Sequence, residues 1–168
     1  MGEAYLRTRS EASFVALYHA HAPAMYALAA HLRPGAADAD DVLQDAWVRA
    51  VHRLGDYRAE SALRTWLCGF VVNCCRERSR SREWEPLVEL PGPSPDRAAA
   101  IDVHTAIGEL PPGYRAVLVL HDVQGHSHAE IAAMLGIDEG TSKSQLSRAR
   151  RWMRARLAPG GHAEGRGR

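Results

Sequence analysis

Cysteine is scarce in this chain: three copies, Cys68, Cys74 and Cys75, with no Cys-x-x-Cys pair. An odd count without that spacing argues against both a disulfide framework and a zinc knuckle. The three read as small buried or half-buried thiols of a protein working in a reducing cytoplasm. No apolar run approaches the roughly 20 residues of a membrane span, so no membrane insertion is expected. The N-terminus lacks the apolar core of a secretory signal. There is no glycine-rich phosphate loop and no nucleophile motif. The nine histidines include His19-x-His21 and His126-x-His128. Metal-binding pairs on helices usually sit at i, i+4 beside an acidic residue set for base work, which neither pair does. No enzyme, metal site or cofactor is therefore expected. No period-two strand pattern or internal repeat is visible, so the expected fold class is all-α.

What is present is segregated charge. The 168 residues carry a net charge of only +1, so the chain is no generic polycation, but cations and carboxylates sit in separate stretches. The stretch 127–157, SHAEIAAMLGIDEGTSKSQLSRARRWMRARL, reads as a capped helix, a tight turn and a cation-loaded second helix. Ser127 and Glu130 have the spacing of a capping box. Ile131, Ala132 and Leu135 share a face, Gly136 suits the left-handed stop, and Asp138 can cap the next helix. That is the pattern of a helix-turn-helix.

The second helix has Leu146, Ala149, Met153 and Leu157 as its apolar stripe. Between Lys143 and Arg156 lie six basic residues and no acidic one. A solvated face usually mixes signs, because neighbouring opposite charges stabilise a helix. One sign alone points to nucleic acid. Residues near the helix start, Thr141, Ser142, Lys143 and Gln145 with Arg148 at the border, would face base edges. Arginines further on, Arg150 and Arg151 among them, would bind phosphate.

In the first half, Phe14, Leu17 and Tyr18 open one amphipathic helix, and Pro23 is expected to begin or kink the next. A stronger helix follows, capped by Asp38 or Asp40. Its buried stripe is Val42, Leu43, Ala46, Trp47, Ala50, Val51 and Leu54. Its other face holds Asp41, Gln44, Asp45 and Val48. Aspartates in a first turn suit the helix dipole; that explains Asp45 less well than the others. An acidic, half-apolar face also suits a basic protein partner. Then, from Arg58 to Arg82, come six arginines against two glutamates, on a helix with Leu63, Trp66, Leu67, Phe70 and Val71 as its apolar residues. Arg76 and Arg80 share a face with Asn73.

Residues 83–100 hold Pro86, Pro91, Pro93 and Pro95, which excludes helix or inner strand. The expected organisation is two small helical domains, 10–82 and 101–157, joined by this linker, with a disordered glycine-rich tail at 158–168.

Taken together, these motifs resemble small bacterial sigma factors of the extracytoplasmic-function class. DADDVLQDAWVRAV resembles the family's polymerase-binding helix. YRAESALRTWL followed by FVVNCCRER resembles its promoter-melting loop and minus-ten helix. The stretch from AIGELPPGYRAVL to RARRWMRARL resembles its minus-thirty-five domain. The order and spacing of all three carry the match.

The resemblance implies a transcription initiation factor whose partners are core RNA polymerase and promoter DNA. Asp41, Gln44, Asp45, Val48 and Arg49 would dock on the polymerase. Arg58 and Ser61, in the loop that captures an extruded base, and Asn73, Arg76 and Arg80 would serve the minus-ten element. Thr141, Lys143, Ser144, Arg148 and Arg150 would serve the minus-thirty-five element. For Trp66, the apolar face formed with Leu63, Leu67 and Phe70 favours a packing role. Ser142 and Gln145 depart from the family's usual valine and arginine, and Cys74-Cys75 from its small apolar residues. The family commonly has inhibitory anti-sigma factors, but no residue here names one. The alternative is a stand-alone helix-turn-helix regulator, which leaves the acidic helix and the second basic helix unexplained.

Overall fold

The computed structural model describes residues 10–33, 39–79 and 102–158. Asp38, Arg80, the expected linker at 83–100 and the tail beyond 158 lie outside the described residues. Every regular element described is helical.

Helix α1, Glu11–Leu32, starts where Ser10 Oγ accepts the Ser13 amide at 3.2 Å. It runs unbroken through Pro23, contrary to the break expected there. The proline is exposed, while Leu17, Met25, Leu28 and Leu32 are buried on one stripe. One missing amide costs less than interrupting that stripe. Helix α2, Ala39–Arg53, ends in a 3-10 turn, Leu54–Asp56. It buries Val42, Leu43, Ala46, Trp47, Ala50 and, through the turn, Leu54. Helix α3, Leu63–Arg78, packs on both with Leu67, Cys68, Val71, Val72, Cys74 and Cys75 buried. Burial pushes the Cys68 thiol up to about 11, so it stays protonated and inert at neutral pH.

The second lobe begins with α4, Val103–Glu109, capped by Asp102, and α5, Pro112–Leu118. A wide π turn, Val119–Val123, extends α5. Helix α6, His128–Leu135, has the full capping box of Ser127 and Glu130, and Gly136 stops it at φ +67°. Helix α7, Glu139–Leu157, is capped by Asp138, which accepts the Thr141 amide at 2.7 Å. Arg115 ties this lobe together by donating to the carbonyls of Ile107, Gly108 and Leu110.

The lobes touch, and one continuous apolar core runs through both. Arg115 also donates to Leu32 O, at the end of α1, at 2.9 Å. Arg64 of α3 donates to Gln124 O at 2.8 Å and Gln124 Oε1 at 2.6 Å.

Candidate functional site

Helix α2 presents one side to solvent. Asp41, Gln44 and Val48 are exposed there, Val48 at 53%. An exposed valine beside carboxylates is the mark of a protein-binding face rather than of a solvated one. Next to it, Phe14, Tyr18, Leu43, Trp47, Val51 and His52 line an open groove of about 520 Å³ between α1 and α2. The Trp47 ring lies 5.2 Å from Tyr18 and 6.0 Å, edge-on, from Phe14. The remaining two residues expected on this face are engaged by α3. Arg78 donates to Asp45 at 2.6 Å, and Arg49 forms a fork with Glu77 at 2.7 and 2.8 Å. Both pairs are solvent-exposed and worth at most about 1 kcal/mol each, so a partner can exchange them.

The second surface is α3 with the loop before it. Arg58 is exposed, and Ser61, half-buried, gives its carbonyl to Tyr57 Oη at 2.6 Å. Ala59 holds φ +56°, a left-handed conformation costing a non-glycine residue about 1–2 kcal/mol. Such strain concentrates in segments that act on a ligand. Asn73 is exposed, whereas Arg76 is half-buried and donates to Leu135 O of α6 at 3.1 Å. Trp66 is half-buried, edge-on to Phe70 at 4.7 Å and 5.5 Å from Tyr57. It thus packs on apolar neighbours while also lining the groove between the lobes.

The third surface is the outer face of α7. Lys143, Ser144, Arg148 and Arg151 are exposed and Thr141 is half-buried. Ser142 and Gln145 depart from the expectation that they face base edges: both are buried, at 0% and 4% exposure. Each lies one turn before a buried stripe residue, Leu146 and Ala149, so helical geometry turns it inward. His128 Nδ1 meets Ser142 Oγ at 2.9 Å and satisfies the buried hydroxyl. Arg150 is also diverted. Its guanidinium forks onto Asp122 at 2.9 and 2.5 Å, which holds that carboxyl below the usual carboxylate range. Arg156 pairs with Glu109 at 2.8 Å.

Three surfaces on two helical lobes are thereby defined, and comparison with known proteins assigns them. Residues 17–85 match the model of Sigma-70 region 2, and residues 100–153 that of Sigma-70 region 4. The ECF RNA polymerase sigma factor SigM of Mycobacterium tuberculosis is 40% identical over 152 residues, 87% of this chain and 76% of SigM. The chain belongs to the sigma-70 family, in its extracytoplasmic-function class. CnrH of Cupriavidus metallidurans, another RNA polymerase sigma factor, is 33% identical over 71% of this chain and 73% of its own length. Among solved structures, the sigma factor RpoE in complex with the anti-sigma factor NepR, from Bartonella quintana, aligns at TM-score 0.68 and 27% identity. That alignment covers 86% of this chain and 96% of RpoE. CnrH in complex with the cytosolic domain of CnrY aligns at 0.66 and 29%, over 88% and 89%.

This sigma factor is a transcription initiation factor with a promoter-directing role. Among its described residues, no helix is long and apolar enough to cross a membrane, and no cluster of His, Cys, Asp and Glu is arranged to hold a metal ion. Sequence reasoning missed the aromatic groove beside α2. Its signal was present in Phe14 and Tyr18, which stand at i, i+4 on a helix whose buried stripe runs elsewhere.

Proposed function

We propose that this sigma factor docks on core RNA polymerase through α2 and reads two promoter elements, minus-ten through α3 and minus-thirty-five through α7. Asp41, Gln44 and Val48 form the docking centre, with the α1–α2 groove receiving an apolar side chain of the polymerase. Asp45 and Arg49 join it by exchanging their α3 partners. The loop from Arg58 to Ser61 captures an extruded base, and Asn73, Arg76 and Arg80 hold the minus-ten strand. Extrusion costs a few kcal/mol, which pocket contacts must offset. Thr141, Lys143, Ser144 and Arg148 enter the major groove, with Arg151 on phosphate.

The single observation that supports this reading best is the exposed Val48 on a carboxylate-bearing helix, in the same chain as two separate cation-bearing helices. A stand-alone regulator has no use for that α2 face. Tethering two modest readers raises their effective concentration, so neither needs high affinity alone. The chain works where the polymerase is, in the cytoplasm. The complexes of RpoE with NepR and of CnrH with the cytosolic domain of CnrY lend support to an anti-sigma partner here as well.

The test is run-off transcription with core polymerase on a genomic fragment library, paired with pull-down of the core. Wild-type chain should start transcripts from a discrete set of fragments. Val48→Glu and Asp41→Arg should lose core binding while keeping their helical spectrum. Arg148→Ala should keep core binding and lose minus-thirty-five dependence. Undiminished core binding by Val48→Glu would remove α2 from the docking role.

A further inference from the structure

We propose that the free chain closes on itself, with α6 and the turn before it clasping the face of α3 that carries Asn73 and Arg76, so that minus-ten DNA is shut out until the lobes part. This rests on the reading above that those two residues serve the minus-ten element.

The clasp is polar, and its contacts bridge about 60 residues of sequence. Thr65, buried on α3, donates to Glu130 Oε1 of α6 at 2.7 Å. Glu130 Oε2 meanwhile accepts the Ser127 amide at 2.8 Å, so the residue that caps α6 also fastens it to α3. His126, equally buried, brings Nδ1 to 3.4 Å from Thr65 Oγ1. Arg64 grips Gln124 twice at one end, and Arg76 reaches Leu135 O at the other. That carbonyl lies in the last turn of α6, the negative end of the helix dipole. Between the two ends the helices come close: a methyl group on Gly69 would lie 3.9 Å from Met134 Cγ.

The consequence for DNA is steric and electrostatic. Ser61, Trp66, Asn73 and Arg76 line one wall of the interlobe groove, about 680 Å³, and Ala133 and Met134 the other. Glu60 and Glu130 also line it and repel phosphate. Arg76 cannot reach a nucleotide while it is bonded to Leu135 O. The closed and DNA-bound arrangements therefore exclude each other. A contact set of a few hydrogen bonds between lobes is of the separable kind. Any ligand that binds only the open form must supply the opening free energy, which lowers its apparent affinity by the open fraction.

The experiment uses the full chain. Arg53→Cys and Ala155→Cys, both exposed positions on different lobes, accept spin labels or dyes, whereas the native cysteines are buried. The wild-type free chain should show a single short inter-label distance that lengthens when core polymerase is added. Arg64→Met with Thr65→Val, in the same labelled chain, should lengthen it without polymerase. That variant should also bind a randomised 12-nucleotide single-stranded DNA pool about tenfold tighter, the factor expected if a mostly closed population opens. A long distance in the free wild-type chain, or one unchanged by core, overturns the clasp without needing the variant to fold. A distance that lengthens with no gain in DNA binding leaves the lobes closing but overturns occlusion, and with it the minus-ten assignment of Asn73 and Arg76. Loss of Val48-dependent core binding is scored separately, so failure of polymerase docking is distinguishable from failure of the clasp.

Discussion

His128 and Ser142 show how much a single polar swap inside a helix-turn-helix depends on its partner. The Ser142 hydroxyl is fully buried and bonded to His128 Nδ1. Leaving a buried hydroxyl unpaired costs about 1–3 kcal/mol, whereas replacing both partners with apolar groups is nearly neutral. His128→Ala should therefore destabilise the protein by about 1–2 kcal/mol, and His128→Ala with Ser142→Val should recover most of that loss. Urea denaturation of the four variants measures it; a double variant as unstable as the single one would mean that the pair is uncoupled. Arg115 is a stronger case. It donates to four carbonyls from three separate segments. Arg115→Met keeps the packed stem and removes the donors, and should cost roughly 3 kcal/mol, as charged hydrogen bonds to buried acceptors do. The expected readout is a lower urea midpoint with little change in slope.

Individual elements were legible in the sequence where their determinants are local. The capping box of Ser127 and Glu130, the left-handed Gly136 and the Asp138 cap all act over three or four residues, and each forms as read. Gly136→Ala tests that economy. Nothing lies within 4 Å of the added methyl group, so only backbone strain changes, and a loss of about 1 kcal/mol is expected from the same urea midpoints. Local reading failed where packing overrode it. Pro23 is a helix breaker by propensity, yet α1 passes through it because the stripe from Leu17 to Leu28 continues on both sides. Ser142 and Gln145 looked like base readers because they are polar and near a helix start. The stripe of Leu146 and Ala149, followed back one turn, would have turned them inward. Arg150 and Arg156 were invisible as structural residues because their carboxylates, Asp122 and Glu109, lie 28 and 47 positions away.

At the scale of the whole molecule, acidity should act mainly through histidine. His126 is buried between the lobes, and no acceptor reaches its Nε2. Burial pushes its pKa down from the ordinary value; Glu130 opposes that shift and Arg64 reinforces it. The unfolded chain therefore takes up the His126 proton first, near the ordinary pKa of about 6.5. This contribution to stability is full above that pH and is lost as pH falls through the lower folded value. His21 and His128, also shifted down, add in the same direction. Thermal or urea stability should fall between neutral pH and about pH 5, and His126→Gln should flatten that decline. An unaltered pH profile in this variant would show that His126 does not titrate on unfolding.

The distribution of tryptophan gives the molecule a set of internal lamps. Trp47 lines the α1–α2 groove with its indole N–H buried and without an acceptor, Trp66 lines the gap between the lobes, and Trp152 lies within the α7 lobe. With Trp84 replaced by phenylalanine, emission from Trp47 should be blue and change colour or brightness when a protein covers that groove. Trp66 should redden as the lobes separate, and Trp152 should report neither event. Docking and opening can thus be timed separately by light, in unlabelled protein, from single-tryptophan versions of this chain.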